Sequence, residues 1–128
     1  MTFVDSNVFM YAVGRSHPLR DEAREVFLAS FRGDGPALVT SVAVLQELLH
    51  AYVPVRRMVT LDAALALVDS CVQTIWPIEP EDARHARALA DVHPGLGARD
   101  LLHLACCQRR GVASVKTYDA ALAAAFRG

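Results

Sequence analysis

Thr2-Phe3-Val4-Asp5-Ser6-Asn7 carries strand-forming residues straight into an acid, and a helical pattern of Val8, Phe9, Tyr11 and Ala12 begins at once. Phe3 and Val4 without a polar interruption read as a buried parallel strand. Asp5 then stands at the carboxyl end of that strand, the edge of an open α/β sheet where ligands bind. As a candidate metal ligand it needs partners, which other parts of the chain must bring to the same edge.

Working outward, short strand-like stretches alternate with helical ones. A helix from Asn7 to about Val13 stops at Gly14, and Pro18 starts a second over Leu19 to Phe31, with Asp21 and Glu22 in its first turn. The turn Gly33-Asp34-Gly35-Pro36 leads into a buried strand over 37–40, and Ser41 is predicted to cap a helix reaching about Tyr52. Val44, Leu45, Leu48 and Leu49 form its apolar face, with Glu47 beside them. Thr60 is predicted to cap the next helix, which ends near Val72. Thr74 to Ile78 reads as a strand, at a sheet edge or near its end because of Pro77. Pro80-Glu81-Asp82 opens a helix to about Val92, and a glycine-rich loop feeds another from about Arg99 to Arg110. After Gly111 comes a last strand, Ala113 to Lys116, and Asp119 opens a final Ala-rich helix. The alternation predicts one domain over 1–128, a small parallel sheet with helices on both faces.

The 128 residues suffice for one sizeable core. A formal net charge of −1 provides no global basic field, so contact with a nucleic acid requires a local patch. Hydrophobic residues make up 53% of the chain and mean hydropathy is +0.25. Yet no apolar run reaches the roughly 18 residues of a membrane span, and the surplus points to a protein partner or a homodimer. No basic region precedes the first apolar residues, and Cys71, Cys106 and Cys107 form no Cys-x-x-Cys. Reduced thiols in a cytoplasmic protein are expected.

Asp5, Glu47, Asp100 and Asp119 have placements that ordinary surface acids lack. Asp5 ends the first strand, Glu47 lies among leucines, Asp100 sits in a helix's first turn, and Asp119 closely follows the last strand. Each also has a plainer reading: Asp5 and Asp119 as helix caps, Asp100 as a partner of the helix dipole, Glu47 as a side chain snorkelling to water. Gathered at one edge, however, four carboxylates repel one another unless a cation neutralises them. Hard oxygen ligands without cysteine or histidine suit Mg²⁺ or Mn²⁺ rather than zinc, and these ions bind phosphate oxygens and activate water for phosphodiester hydrolysis.

Val4-Asp5-Ser6-Asn7-Val8, Leu45-Gln46-Glu47-Leu48, Ala98-Arg99-Asp100-Leu101-Leu102-His103-Leu104-Ala105 and Thr117-Tyr118-Asp119 resemble, in order and spacing, the four motifs of PIN-domain ribonucleases. The resemblance is greatest to the VapC-like toxins of prokaryotic toxin–antitoxin pairs. It implies a Mg²⁺- or Mn²⁺-dependent endoribonuclease, homodimeric in many members and inhibited by a cognate antitoxin. It further implies that Asp5 and Asp100 are the principal metal ligands. Glu47 and Asp119 would complete the cluster, and Asn7 and Thr117 would support it by hydrogen bonds. Lys116 departs from the pattern, which has an aliphatic residue there; it either extends towards a phosphate or leaves the sheet edge.

His103, one turn after Asp100, shares its helix face and either contacts RNA or hydrogen-bonds an acid. Arg15, Arg20 and Arg24 are candidates for an RNA footprint, with Arg56-Arg57 and Arg109-Arg110 as alternatives. The apolar helices between Val42 and Val72 are candidates for a dimer face and an antitoxin groove. Rival readings are a PIN-like RNA-processing nuclease without an antitoxin and a non-catalytic binding module; the four intact acids speak against the second. A phosphate-handling α/β enzyme is weaker still, since no glycine-rich phosphate loop is present.

Overall fold

β1 (Thr2–Val4) buries Phe3 and Val4 completely, and the backbone turns at Asp5 into α1 (Ser6–Val13). The computed structural model describes residues 1–128, and the same strand-to-helix step recurs along them. β2 (Leu38–Ser41), buried throughout, runs into α3 (Val42–Tyr52), and β4 (Ser114–Lys116) into α7 (Ala120–Arg127). β3 (Val72–Trp76) leads to α5 (Pro80–Val92), while α2 (Arg20–Phe31), α4 (Met58–Cys71) and α6 (Ala98–Arg109) complete the crossovers. All strand pairs are parallel, in the order β3-β2-β1-β4. The small parallel sheet flanked by helices matches the expectation from alternation. Because the chain steps from β1 out to β3 and then returns to the other side of β1, the strand order reverses between β1 and β4. Ligands bind at the carboxyl ends of strands at such a reversal.

Several boundaries differ from those read in the sequence. β3 ends at Trp76, so Pro77 falls just beyond an edge strand, where its missing N–H costs no ladder bond. Ser41 stands at the start of α3, but its buried hydroxyl has no partner, and the predicted side-chain cap is not made. α4 begins at Met58, with Leu61 N–H already bonded to Arg57 C=O at 3.1 Å, so Thr60 lies within the helix. Gly14 does end α1: a Cβ there would meet Met10 C=O at 2.8 Å. Gly111 follows α6 with φ +72, the left-handed conformation that favours glycine after a helix.

The main core gathers 17 buried residues, among them Phe3, Val8, Phe9, Val39 and Leu48. A second cluster of five (Leu89, Leu101, Leu104, Ala105, Ala125) joins α5, α6 and α7. α6 borders both, which fixes its position along the sheet. Its far end is clamped by Asp82, wholly buried, whose carboxylate accepts from Arg109 at 2.6 Å and from Arg110 at 2.8 and 3.2 Å. Arg109 and Arg110, alternative candidates for an RNA footprint, are thereby committed to the fold. Burial alone would push the Asp82 carboxyl up, but the arginines and the Glu79 N–H outweigh it and hold it well below the usual range. All three cysteines are free. Burial pushes the Cys106 thiol up to about 11, with the charge of Asp82 adding to the shift, and raises Cys107 as well. No helix is long and apolar enough to cross a membrane.

Candidate metal centre

Asp5 is held from two directions. Its Oδ1 accepts from the Ser6 N–H at 2.7 Å, and its Oδ2 from the Thr117 hydroxyl at 2.8 Å. Thr117 Oγ1 in turn accepts from Asn7 Nδ2 at 3.3 Å and from the Asp119 N–H at 3.0 Å, while Asn7 Oδ1 accepts from the Tyr118 N–H at 3.2 Å. These bonds join the β1–α1 junction to the β4–α7 junction across the point where the strand order reverses. Asp119 Oδ1 accepts from the Leu122 N–H at 2.9 Å. Asp5 and Asp119 are therefore helix caps, as the plainer reading has it, and they line the same cleft as well.

Glu47, in the second turn of α3, has a side chain only 13% exposed, so it turns inward and does not snorkel. Its Oε1 accepts from His103 Nε2 at 2.5 Å. His103 is fully buried, its ring centroid 5.3 Å from that of Phe3. The imidazole does not reach the surface, and of its two expected contacts, RNA or an acid, it makes the one to an acid. Burial pulls the imidazole pKa down, but the Glu47 hydrogen bond and the charges of Glu47, Asp5 and Asp100 outweigh it, and the net direction is up.

Asp100, in the first turn of α6, accepts no hydrogen bond from the protein. Burial first, then the charges of Asp119 and Asp5, push its carboxyl up; Glu47 adds to this and only His103 opposes it. Asp5, Glu47, Asp100 and Asp119 line one polar cleft of about 470 Å³ together with Ser6, Asn7 and residues 97–99 at the start of α6. Ligand atoms of Asp5, Glu47 and His103 lie within 4.8 Å of one another. A partly buried set of mutually repelling carboxylates, one of them, Asp100, without any protein donor, fits a hard divalent cation. A larger concavity, about 750 Å³ between α1, α2 and α4, is apolar and lacks this chemistry.

The basic candidates fare differently. Arg24 donates to Ala12 C=O at 2.8 Å and Arg20 to Gly14 C=O at 3.5 Å. Both guanidinium groups thus hold the carboxyl end of α1, which is about 12 Å from Asp5, the length of an eight-residue helix. Arg15 is exposed. Lys116 pairs with Glu22 at 2.9 Å and lies over the Tyr118 ring, so its ammonium leaves the sheet edge for α2. The cation at the cleft itself is Arg99, exposed and in no ion pair with the acids beside it. It stands within the third motif, Ala98 to Ala105. Adjacency to Asp100 is the signal the sequence carries, yet the exposure of Arg99 depends on how the start of α6 meets the sheet.

A family model for the PIN domain matches residues 2–126. Ribonuclease VapC23 of Mycobacterium tuberculosis is 63% identical over 127 residues, covering 99% of each chain. Ribonuclease VapC13 of the same organism is 36% identical over 119 residues, 93% of this chain and 90% of that one. Among solved structures, the M. tuberculosis toxin VapC20, described as cleaving the sarcin–ricin loop, superposes with a TM-score of 0.81 at 18% identity, covering 98% of this chain and 95% of that one. A toxin–antitoxin complex from Klebsiella pneumoniae superposes with a TM-score of 0.64 at 18% identity, over 93% and 87%. Read together with the acid-lined cleft at the β1–β4 reversal, these matches establish that the chain belongs to the PIN-domain family, in its VapC-type branch.

Proposed function

We propose that this protein is a metal-dependent endoribonuclease, the toxin of a type II toxin–antitoxin pair, acting as a single domain in the cytoplasm. The observation that carries the chemistry is that four acids far apart in sequence line one cleft, with Asp100 left without a donor. Mg²⁺ or Mn²⁺ bound there would polarise a phosphate and lower the pKa of a water. Asp5 and Asp100 are the principal ligands. Asp5 is pre-oriented by Ser6 and Thr117, and Asn7 fixes Thr117 in turn, a supporting role of the kind that tunes metal sites. Glu47 and Asp119 each keep one oxygen free of protein donors, Oε2 and Oδ2, to complete the cluster and orient the attacking water. Arg99 contacts a phosphate at the cleft mouth, with Arg15 as a more distant contact.

Partner surfaces fit the same reading. The apolar concavity exposes Leu28 and Phe31, at 51% and 75%, and suits an amphipathic antitoxin segment. Val55, Met58 and Val59, exposed around the start of α4, suit a homodimer face. A non-catalytic module is disfavoured because all four acids line the cleft and Asp5 is oriented by Ser6 and Thr117. The chemistry is tested by the product ends. Water attack on a phosphodiester leaves no 2′,3′-cyclic phosphate, whereas attack by the ribose 2′-hydroxyl does. Purified protein with an RNA panel and Mn²⁺ is expected to give internal cuts without cyclic ends; cyclic ends would rule out the water mechanism.

A further inference from the structure

We infer that His103 is a positioning residue for Glu47, one that decides which carboxylate oxygen is offered to the metal and the water. The inference rests on the nuclease reading above.

His103 is on α6 and Glu47 on α3, so their 2.5 Å bond ties together two helices that reach the cleft from different parts of the sheet. The same Nε2 lies 3.7 Å from Asp5 Oδ1, which places one N–H between two carboxylates that otherwise repel. Nε2 is the donor whether the ring is the neutral Nε2–H tautomer or doubly protonated, so the geometry does not depend on its charge. With Oε1 engaged, Glu47 has Oε2 left for the cleft.

A purely structural role accounts poorly for this side chain. His103 is fully buried against Phe3, and its Nδ1 has no hydrogen-bond partner at all. Buried polar atoms are ordinarily paired, and an unpaired one is costly. A leucine would fill that space between α6 and β1 without the cost. The single hydrogen bond that the imidazole makes in return is the one to Glu47, an acid of the cleft.

The test uses His103→Leu, which keeps the packing and removes the donor, and His103→Gln, whose amide restores a donor of similar reach. Mn²⁺ dissociation constants, measured on the protein without RNA, are combined with those of Glu47→Gln and the double variant. Removing such a supporting bond commonly weakens affinity or activity by about 10- to 100-fold. His103→Leu is expected to weaken Mn²⁺ binding at least about 10-fold on that scale and to lower kcat with little change in KM for RNA. His103→Gln should recover most of both. In the Glu47→Gln background, His103→Leu should have little further effect on Mn²⁺ binding. Wild-type Mn²⁺ affinity in a folded His103→Leu, or equal losses in both backgrounds, would overturn the proposal. Failure of the wild type to cut any RNA would count against the nuclease reading alone, because the Mn²⁺ cycle needs no substrate.

Discussion

At the scale of the residue, Asp100 is the acid most at odds with its surroundings. Its carboxyl is pushed up by burial and by the charges of Asp119 and Asp5, with no protein donor and only the charge of His103 to offset them. Removing its charge relieves repulsion in the metal-free protein and also removes a ligand. Asp100→Asn is therefore expected to be more stable than the wild type in chelator, by about 1 kcal/mol, a size common when a functional site's strain is released. It should lose most of the thermal stabilisation that Mn²⁺ gives the wild type by binding the folded state. Melting curves with EDTA and with Mn²⁺ check both; a variant less stable in EDTA and still stabilised by Mn²⁺ would contradict them. The four acids could be picked out in the sequence because each lies where a strand ends or a helix begins, or among leucines. His103 was not assignable, since a histidine one turn after an aspartate has the same spacing on a buried face as on an exposed one. Arg20 and Arg24 looked free because carbonyl acceptors at the end of a helix leave no mark in a sequence.

At the scale of the element, the Asp82 clamp holds α5, the end of β3 and the last turn of α6 together. Arg110 also stacks its guanidinium 5.1 Å from the Trp76 ring centre. Asp82→Asn is expected to cost roughly 3 kcal/mol, the low end for breaking a buried ion pair, because Arg109 and Arg110 keep some contact with water. The urea midpoint measures it; a loss within experimental error would show that the clamp contributes little. The sign of the pH effect follows from the depressed carboxyl. The folded protein holds Asp82 ionised below its ordinary 3.8, so this stability is fully present above that value and is lost as pH falls through the folded value. The fall in stability below pH about 4 should be shallower in Asp82→Asn. Pro80-Glu81-Asp82 was readable as a helix start, and Glu79 with Asp82 does form a capping box there. The clamp was not readable, because Arg109 and Arg110 lie 27 and 28 residues further on. The alternation itself was legible, since buried parallel strands with helical crossovers impose it, whereas the caps expected of Ser41 and Thr60 depended on half a turn of helix.

At the scale of the whole molecule, a net charge of −1 leaves RNA binding to a few local cations. Arg99→Ala is expected to reduce the slope of log binding constant against log salt by about 0.7, one single-strand phosphate contact. Arg24→Ala should leave the slope unchanged and lower stability, since its guanidinium bonds the end of α1. Equal slopes for wild type and Arg99→Ala would remove Arg99 from the footprint. The apolar concavity carries the corresponding expectation for a partner. Phe31→Glu should release a bound antitoxin while leaving RNA cleavage intact, as measured by co-purification and by activity of the free protein. Undiminished co-purification would place the antitoxin elsewhere.

The most direct measurement is RNA cleavage after the protein has been stripped with chelator and reloaded, with wild type, Asp5→Asn and Asp100→Asn side by side. The acid-lined cleft requires no cleavage in chelator, recovery of the wild type with Mg²⁺ or Mn²⁺, and little or none in either variant. Cleavage that persists in chelator, or that both variants retain, would contradict it.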